Sequence, residues 1–120
     1  MTTISLQEYR KLAKKPKRSK YGNRKVKADG YTFDSVKEHK YWCYLKLRKA
    51  AKEVWNIMVH PHYPIVIKGS LVRTVIPDFS FWDETEMRQR VVDVKGYYTH
   101  QSKQGYKMLF AEYGIKVELV

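Results

Sequence analysis

The stretch RVVDVKGYY, residues 90–98, predicts a β-strand that carries two charged side chains. Its valines are β-branched and favour a strand, and a glycine ends the run. Because side chains alternate between the two faces of a strand, Asp93 and Lys95 project from the same face. That face is therefore either an ordinary solvated surface or a functional site, and the rest of the sequence has to distinguish the two.

The composition is that of a small globular protein. The chain has 120 residues, of which 43% are apolar and 14% aromatic, enough for one domain with a hydrophobic core. A single cysteine excludes an intramolecular disulfide and favours a reducing cytoplasm. No apolar run approaches the ~20 residues of a membrane helix, and the N-terminus lacks the pattern of a signal peptide, so we expect a cytoplasmic protein.

The charge is strongly positive and unevenly distributed. The formal net charge is +12, and residues 1–30 hold ten lysines and arginines against two acidic residues. Such an excess predicts a polyanionic partner, and nucleic acid is favoured over a membrane because no strongly amphipathic apolar helix accompanies it. A merely solubilising role for the basic region remains open.

The basic region predicts an N-terminal arm. A short helix over residues 5–15 begins with a capping-box spacing, and a basic stretch punctuated by proline and glycine follows over residues 14–25. We take residues 1–25 as an arm that precedes a single domain, residues 26–120. The predicted DNA contacts, which would bind phosphates, are Lys17, Arg18, Lys20, Arg24 and Lys25 in the arm, with Lys103 and Lys107 further along the chain.

The predicted elements of the domain alternate between helices and strands. Asp29-Gly30, between two short alternating runs, predicts a tight hairpin. This order predicts an α+β fold with one mixed sheet and helices on its faces. The elements that follow are a helix over 35–52, strands over 54–59, 63–67, 71–82 and 89–94, a helix over 100–113 and a strand over 115–120.

Each predicted helix has an apolar stripe. In the first helix we expect Trp42, Leu45 and Ala50 to face the core. In the second helix the residues at three- and four-residue spacings are Tyr106, Leu109, Phe110 and Tyr113, and we assign Tyr106 and Phe110 to the core rather than to base stacking.

A second acidic residue lies one strand before Asp93. Asp78 interrupts the apolar run TVIPDFSFW, residues 74–82, directly after a proline that cannot donate to a sheet. A hairpin through the polar loop 83–88 would bring Asp78 close to Asp93. Two neighbouring carboxylates with water and substrate phosphate are the ligands that Mg²⁺ prefers. The alternative, still open at this point, is that Asp93 forms a surface ion pair with Lys95 and Asp78 caps a turn.

The first helix offers a third acid. Glu38 lies on the same stripe as Trp42 and Leu45, where an unpaired carboxylate would be costly to bury. Ser35 stands three residues earlier, so Glu38 could serve only as part of a capping box. We favour a role at the acidic site, with or without capping.

These motifs carry a family resemblance that spans residues from about 5 to 120. F-D-S-x-x-E at 33–38, P-D-F at 77–79 and D-V-K-G at 93–96 resemble the PD-(D/E)XK nuclease superfamily. The sequence is most similar to its small phage branches, which include phage Holliday-junction resolvases and a set of uncharacterised phage proteins. The stretches KYGNRK, DGYTFDS and LFAEYGI resemble that uncharacterised set.

The resemblance implies a fold, a metal and residue roles. The fold would be a restriction-endonuclease-like core of αβββαβ order. Asp78, Asp93 and Glu38 would help bind Mg²⁺, for which Mn²⁺ could substitute, with the backbone carbonyl of Val94 as a further ligand. Lys95 would assist hydrolysis.

The implied activity is endonucleolytic cleavage of branched or otherwise structured DNA in phage DNA metabolism, such as recombination. Because a junction resolvase cuts two strands, we expect a homodimer. The competing prediction is a non-catalytic nucleic-acid-binding accessory protein that uses the basic arm.

Overall fold

The computed structural model describes residues 24–94 and 99–120. The predicted N-terminal helix and most of the basic arm lie outside the described residues, and so does Lys95. The chain divides into two compact units, Met1–His39 and Lys40–Val120. Each unit is described by itself below.

The first unit contains the predicted hairpin. Strands β1 (Val26–Ala28) and β2 (Tyr31–Phe33) pair antiparallel, with Ala28 opposite Tyr31. Asp29 and Gly30 between them have φ angles of 53° and 81°. Two successive positive φ values are what a two-residue turn with the twist of a hairpin requires, and aspartate and glycine adopt them at low cost. The prediction from Asp29-Gly30 is confirmed.

Helix α1 (Val36–Ala50) begins at a serine cap. The backbone N–H of Glu38 donates to Ser35 Oγ at 3.0 Å, which satisfies one of the amide groups that have no partner within the helix. Further along the helix, Trp42 and Leu45 are buried as predicted. The prediction for Ala50 is wrong, since this residue is exposed and is the last residue of the helix.

The strands of the second unit form a mixed sheet and a separate hairpin. In chain order they are β3 (Val54–Val59), β4 (Tyr63–Ile67), β5 (Ser70–Val75), β6 (Phe79–Asp83), β7 (Arg88–Asp93) and β8 (Val117–Leu119). The sheet has the order β3-β6-β7-β8, antiparallel except for the parallel pair β7–β8, while β4 and β5 pair only with each other.

Two predictions about the sheet are wrong in detail. The stretch 71–82, predicted as one strand, forms two strands that belong to different sheets. The break falls at 76–78, where Pro77 has no N–H to donate to a ladder. The single mixed sheet that was predicted is accordingly three sheets among the described residues, although the α+β class and the mixed main sheet are confirmed.

One face of the main sheet packs against α1. The rings of Tyr41 and Trp42 lie 5.6 and 6.3 Å from the ring of Phe79, centroid to centroid. Phe79 is opposite Val92, and both are fully buried. Since paired residues share a face and neighbours alternate, Val91 and Asp93 belong to the opposite face of β7.

Helix α2 (His100–Tyr113) has the bounds predicted from the sequence. Thr99 caps its start, and Gly114, with φ 69°, caps its end by donating to the Phe110 carbonyl at 2.9 Å. Leu109 is buried in a cluster with Ile65 and Val75 of the β4–β5 hairpin. Neither of the described helices is long and apolar enough to span a membrane.

Candidate functional site

The β6–β7 hairpin brings Asp78 and Asp93 together. Because Phe79 pairs with Val92, the residues just beyond them, Asp78 and Asp93, meet at one end of the hairpin. The backbone N–H of Asp78 donates to Asp93 Oδ1 at 2.7 Å, and the N–H of Val94 donates to Asp78 Oδ2 at 2.7 Å. The juxtaposition predicted from the loop 83–88 is confirmed.

Further contacts fix Asp78 in place. Its carbonyl accepts a hydrogen bond from the backbone N–H of His60 at 2.9 Å. His60 has a φ angle of 52°, an uncommon left-handed conformation for a residue other than glycine. The backbone N–H, the backbone carbonyl and the carboxylate of Asp78 are therefore all engaged, which holds its side chain in one orientation.

The carboxylate of Asp93 is buried among neutral donors. Asp93 is only 4% exposed. Its Oδ1 accepts from the amide of Asp78, and its Oδ2 accepts a short hydrogen bond from the hydroxyl of Tyr106 on α2. Neither donor carries a positive charge, and a buried carboxylate without a compensating charge is costly. Among the described residues, the donors to Asp93 thus leave its negative charge without a cationic partner.

Asp83, at the other end of β6, shows the contrasting case. It is fully buried, but its Oδ2 lies 3.3 Å from Arg48 Nη1 and 3.0 Å from Arg90 Nη1. Burial by itself raises the pKa of this carboxyl, but hydrogen bonds from Thr85, Arg90 and Arg48 outweigh it and hold the pKa well below its usual range. Asp83 is therefore neutralised by the protein, as a structural aspartate should be.

The first unit holds a second pair of acids. Glu38 is 3% exposed, and one of its carboxylate oxygens lies within 4.8 Å of a carboxylate oxygen of Asp34. Two carboxylates at this separation repel each other, and a cation between them would reduce that repulsion. Asp34 belongs to the F-D-S-x-x-E motif, but no role was predicted for it. The spacing of four residues from Glu38 was the available signal.

The remaining predicted site residues divide into two groups. Arg24 and Lys25 are exposed in the first unit, and Lys103 and Lys107 are exposed on α2. The other four, for which the structure provides no description, are Lys17, Arg18, Lys20 and Lys95.

A groove of about 650 Å³ runs along α2 and the segment that enters β8. Its lining includes Tyr106, whose hydroxyl contacts Asp93, and three lysines. Phe110 also lines it and is 60% exposed, so the prediction that Phe110 faces the core is wrong. The buried side of α2 is instead formed by Gly105 and Leu109. Each of them directly precedes one of the aromatic residues that were predicted to face the core, Tyr106 and Phe110.

Gly105 lies against the guanidinium of Arg73. A Cβ atom at this position would lie 3.0 Å from Nη2 of Arg73. The Arg73 guanidinium crosses close to the helix there and donates to the carbonyl of Gln101 at 3.0 Å. A larger residue at position 105 would therefore require the end of the Arg73 side chain to shift by a few tenths of an ångström.

Comparison with known proteins yields a family without an assigned function. The family described as "Protein of unknown function (DUF1064)" matches residues 18–119, so the chain belongs to this family. No curated protein matches the chain, and no solved structure matches it.

Proposed function

We propose that this member of a family of unknown function is a Mg²⁺-dependent endodeoxyribonuclease that hydrolyses phosphodiester bonds in branched or otherwise structured DNA. The observation that carries the proposal is the buried Asp93 carboxylate, which is joined to Asp78 at one end of a hairpin and receives hydrogen bonds from neutral donors. Asp83, in the same strand pair, is by contrast a buried aspartate that forms ion pairs with two arginines.

The donor set fits Mg²⁺. All of the proposed ligand atoms are oxygens: the carboxylates of Asp78 and Asp93 and the backbone carbonyl of Val94. Each carboxylate has about four acceptor positions, so a carboxylate that accepts hydrogen bonds can also bind a metal. Mg²⁺ usually binds through one or two carboxylates together with waters and substrate phosphates. Mn²⁺, which also prefers carboxylate and water ligands, would substitute.

The bound ion would supply a neutralising charge at the scissile phosphate and a more acidic water. The protein's own part is to hold the acids in place before the substrate arrives. Asp78 is fixed through three hydrogen-bonding groups, and Asp93 is oriented by Tyr106. Such preorganisation is the usual source of electrostatic catalysis.

Two residues enter the proposal from the sequence resemblance. Lys95 follows Asp93 at the spacing of the D-x-K motif and would act as a point charge beside the reacting phosphate. Glu38 would be the third acid of the centre, and its burial with Asp34 close by is consistent with a carboxylate that is not simply solvated.

The order of elements supports the finer fold assignment. Without the β4–β5 hairpin, the order from α1 is helix, three antiparallel strands, helix and a parallel strand, which is the αβββαβ order of a restriction-endonuclease-like core. We propose that β4–β5 is an insertion into this core.

The choice of DNA as substrate rests on charge and resemblance. A formal net charge of +12 favours a polyanion. The basic arm and the lysines of α2 would contact phosphates, which positions the enzyme without reading sequence. Cleavage of both strands of a junction would require two copies of the chain, so the active form would be a homodimer in the host cytoplasm.

A substrate panel tests the activity. Four-way junction, flap, duplex and single-stranded DNA are incubated with the wild-type protein and Mg²⁺, and then with Asp93→Asn, which keeps the shape of the side chain. Glu112→Gln, an exposed acid on α2, is the matched acid-to-amide control. We expect cleavage by the wild type and the control and loss in Asp93→Asn, with DNA binding retained. Equal nicking by all three proteins would refute the assignment.

One observation favours the second candidate, a non-catalytic nucleic-acid-binding protein. The carboxylates of Asp78 and Asp93 accept backbone hydrogen bonds that join the two strand ends, and this role alone could require both residues. If that is their function, Asp93→Asn lowers stability while the wild type binds DNA and cleaves none of the panel with either Mg²⁺ or Mn²⁺.

A further inference from the structure

The groove along α2 combines positive charge with an exposed aromatic ring. Lys103, Lys107 and Phe110 follow one another at four- and three-residue spacings, so they lie on one side of α2. Lys116, before β8, also lines the groove. Phe110 is 60% exposed, so its ring is accessible to a ligand in the groove.

The charge of the groove restricts its occupant. None of the described residues that line it is acidic, whereas three lysines are among them. Lysine side chains repel a basic occupant, so the basic first 30 residues of the chain are unfavourable in this groove, and a homodimer would have to form through another surface. A polyanion is complementary.

The aromatic ring distinguishes between kinds of polyanion. In duplex DNA the bases are stacked on each other, so their faces are not accessible to Phe110. In an unpaired strand the bases can stack on an aromatic side chain while lysines contact the backbone, which is the common arrangement in proteins that bind single strands. The combination of Phe110 with lysines therefore favours an unpaired strand.

The groove is linked to one of the proposed catalytic acids through Tyr106. Tyr106 lines the groove, and its hydroxyl donates to Asp93 Oδ2. A strand that occupies the groove would contact Tyr106, the residue whose hydroxyl is bonded to this carboxylate.

We infer that the groove of α2 binds an unpaired DNA strand, with a base stacked on Phe110 and phosphates at Lys107 and Lys116. The choice of DNA rests on the proposed function, and the inference deepens it: the preferred substrate carries an unpaired segment next to the scissile bond, as a flap or an opened junction does.

The test measures binding without cleavage. Fluorescence anisotropy of a labelled oligothymidine of about 12 nucleotides, within the usual site size for single-strand binding, is compared with a blunt duplex of the same length. The full chain is used with EDTA, so that no divalent ion is present. We expect Phe110→Ala to weaken single-strand binding roughly 5- to 150-fold, the usual effect of losing one stacked base, and to leave duplex binding within about twofold.

Matched variants control for folding and charge. Leu47→Ala removes an apolar side chain that is also exposed but lies on α1, and it should leave single-strand binding unchanged. Phe110→Trp keeps a stacking surface and should retain wild-type binding. Lys107→Ala should weaken single-strand binding more than Lys49→Ala, which removes the same charge from α1.

The outcomes separate this inference from the proposed function. Equal effects of Phe110→Ala on single strand and duplex, or no effect on either, would overturn the inference. If Phe110→Ala selectively loses single-strand binding, the inference is supported, even if the wild type cleaves nothing in Mg²⁺. Absence of cleavage would overturn only the nuclease assignment, together with the link between the groove and a scissile bond.

Discussion

Replacement of Asp83 by asparagine should destabilise the protein strongly, because it places an amide between two arginines. Oδ2 of Asp83 accepts from Arg48 Nη1 at 3.3 Å and from Arg90 Nη1 at 3.0 Å. Oδ1 accepts from the backbone N–H groups of Thr85 and Glu86 at 3.0 and 3.3 Å. The side-chain oxygen of asparagine can keep the contacts of Oδ1. Its NH₂ group then replaces Oδ2 and cannot accept hydrogen bonds from the two arginines.

The magnitude follows from the contacts that are lost. Two hydrogen bonds to charged groups, each worth about 1.5–3 kcal/mol, disappear from a fully buried position. The loss is reduced because Arg48 keeps Glu53 at 3.1 Å and Arg90 keeps Glu118 at 3.0 Å. We therefore expect the free energy of unfolding to fall by about 3 kcal/mol, near the lower end of the range for a broken buried ion pair.

Urea denaturation followed by the fluorescence of the three tryptophans measures this difference. Glu86→Gln is the control, since it makes the same acid-to-amide change in the same turn at an exposed position and should cost less than about 1 kcal/mol. If Asp83→Asn costs no more than Glu86→Gln, then the arginine contacts do not stabilise the fold and the contrast between Asp83 and Asp93 loses its basis.

Three further predictions concern the pH dependence of stability, the hydroxyl group of Tyr106 and the basic arm. The folded-state pKa values of Asp83 and Glu118 are lowered, so their stabilisation is present above the unfolded values of about 4 and is lost as the pH falls below them. Urea titrations at stepped pH should show a shallower acid loss in Asp83→Asn, and identical pH profiles would contradict this. Tyr106→Phe should lower the free energy of unfolding by about 1 kcal/mol and reduce the rate of Mg²⁺-dependent cleavage. The control Tyr113→Phe removes a hydroxyl bonded to the Pro64 carbonyl and should leave cleavage unchanged. Equal cleavage rates in the two variants would exclude a positioning role for Tyr106. Deletion of residues 1–25 should weaken DNA binding and flatten its salt dependence, measured by anisotropy at several salt concentrations, and an unchanged slope would exclude the arm from phosphate contact.

The elements that depend on local signals were predictable from the sequence. The turn at Asp29-Gly30, the limits of α2 and the strand over 54–59 are each set by residues within a few positions of one another. The meeting of Asp78 with Asp93 was also predictable, because a short hairpin loop fixes the register of the two strands that it connects.

The errors arose where distant parts of the chain decide the outcome. Residues 76–78 separate two strands that join different sheets, and a run of apolar residues does not reveal that the strand partner changes. Phe110 is exposed because its neighbour Leu109 is the residue of α2 that packs against Ile65 and Val75, which come from a distant part of the chain.

The burial and the contacts of the acidic residues were only partly predictable from the sequence. The strand period placed Asp93 on one face of β7, but the sequence left open whether that face is solvated. Its burial and its contact with Tyr106 depend on α2, which is packed on this face from further along the chain. The pairing of Asp83 with Arg48 spans 35 positions, and no local pattern indicates it.

The most direct test of the central claim is the rate at which a four-way DNA junction is cleaved in Mg²⁺ by the wild type and by Asp93→Asn. We expect the wild type to cleave and the variant to be slower by about 100-fold or more, a typical loss when a preorganised catalytic group is removed. Junction binding in EDTA should be within about twofold for the two proteins, since phosphate contacts provide most of the affinity. Cleavage at equal rates, or none by the wild type in either Mg²⁺ or Mn²⁺, would contradict the assignment of Asp78 and Asp93 to a nuclease centre.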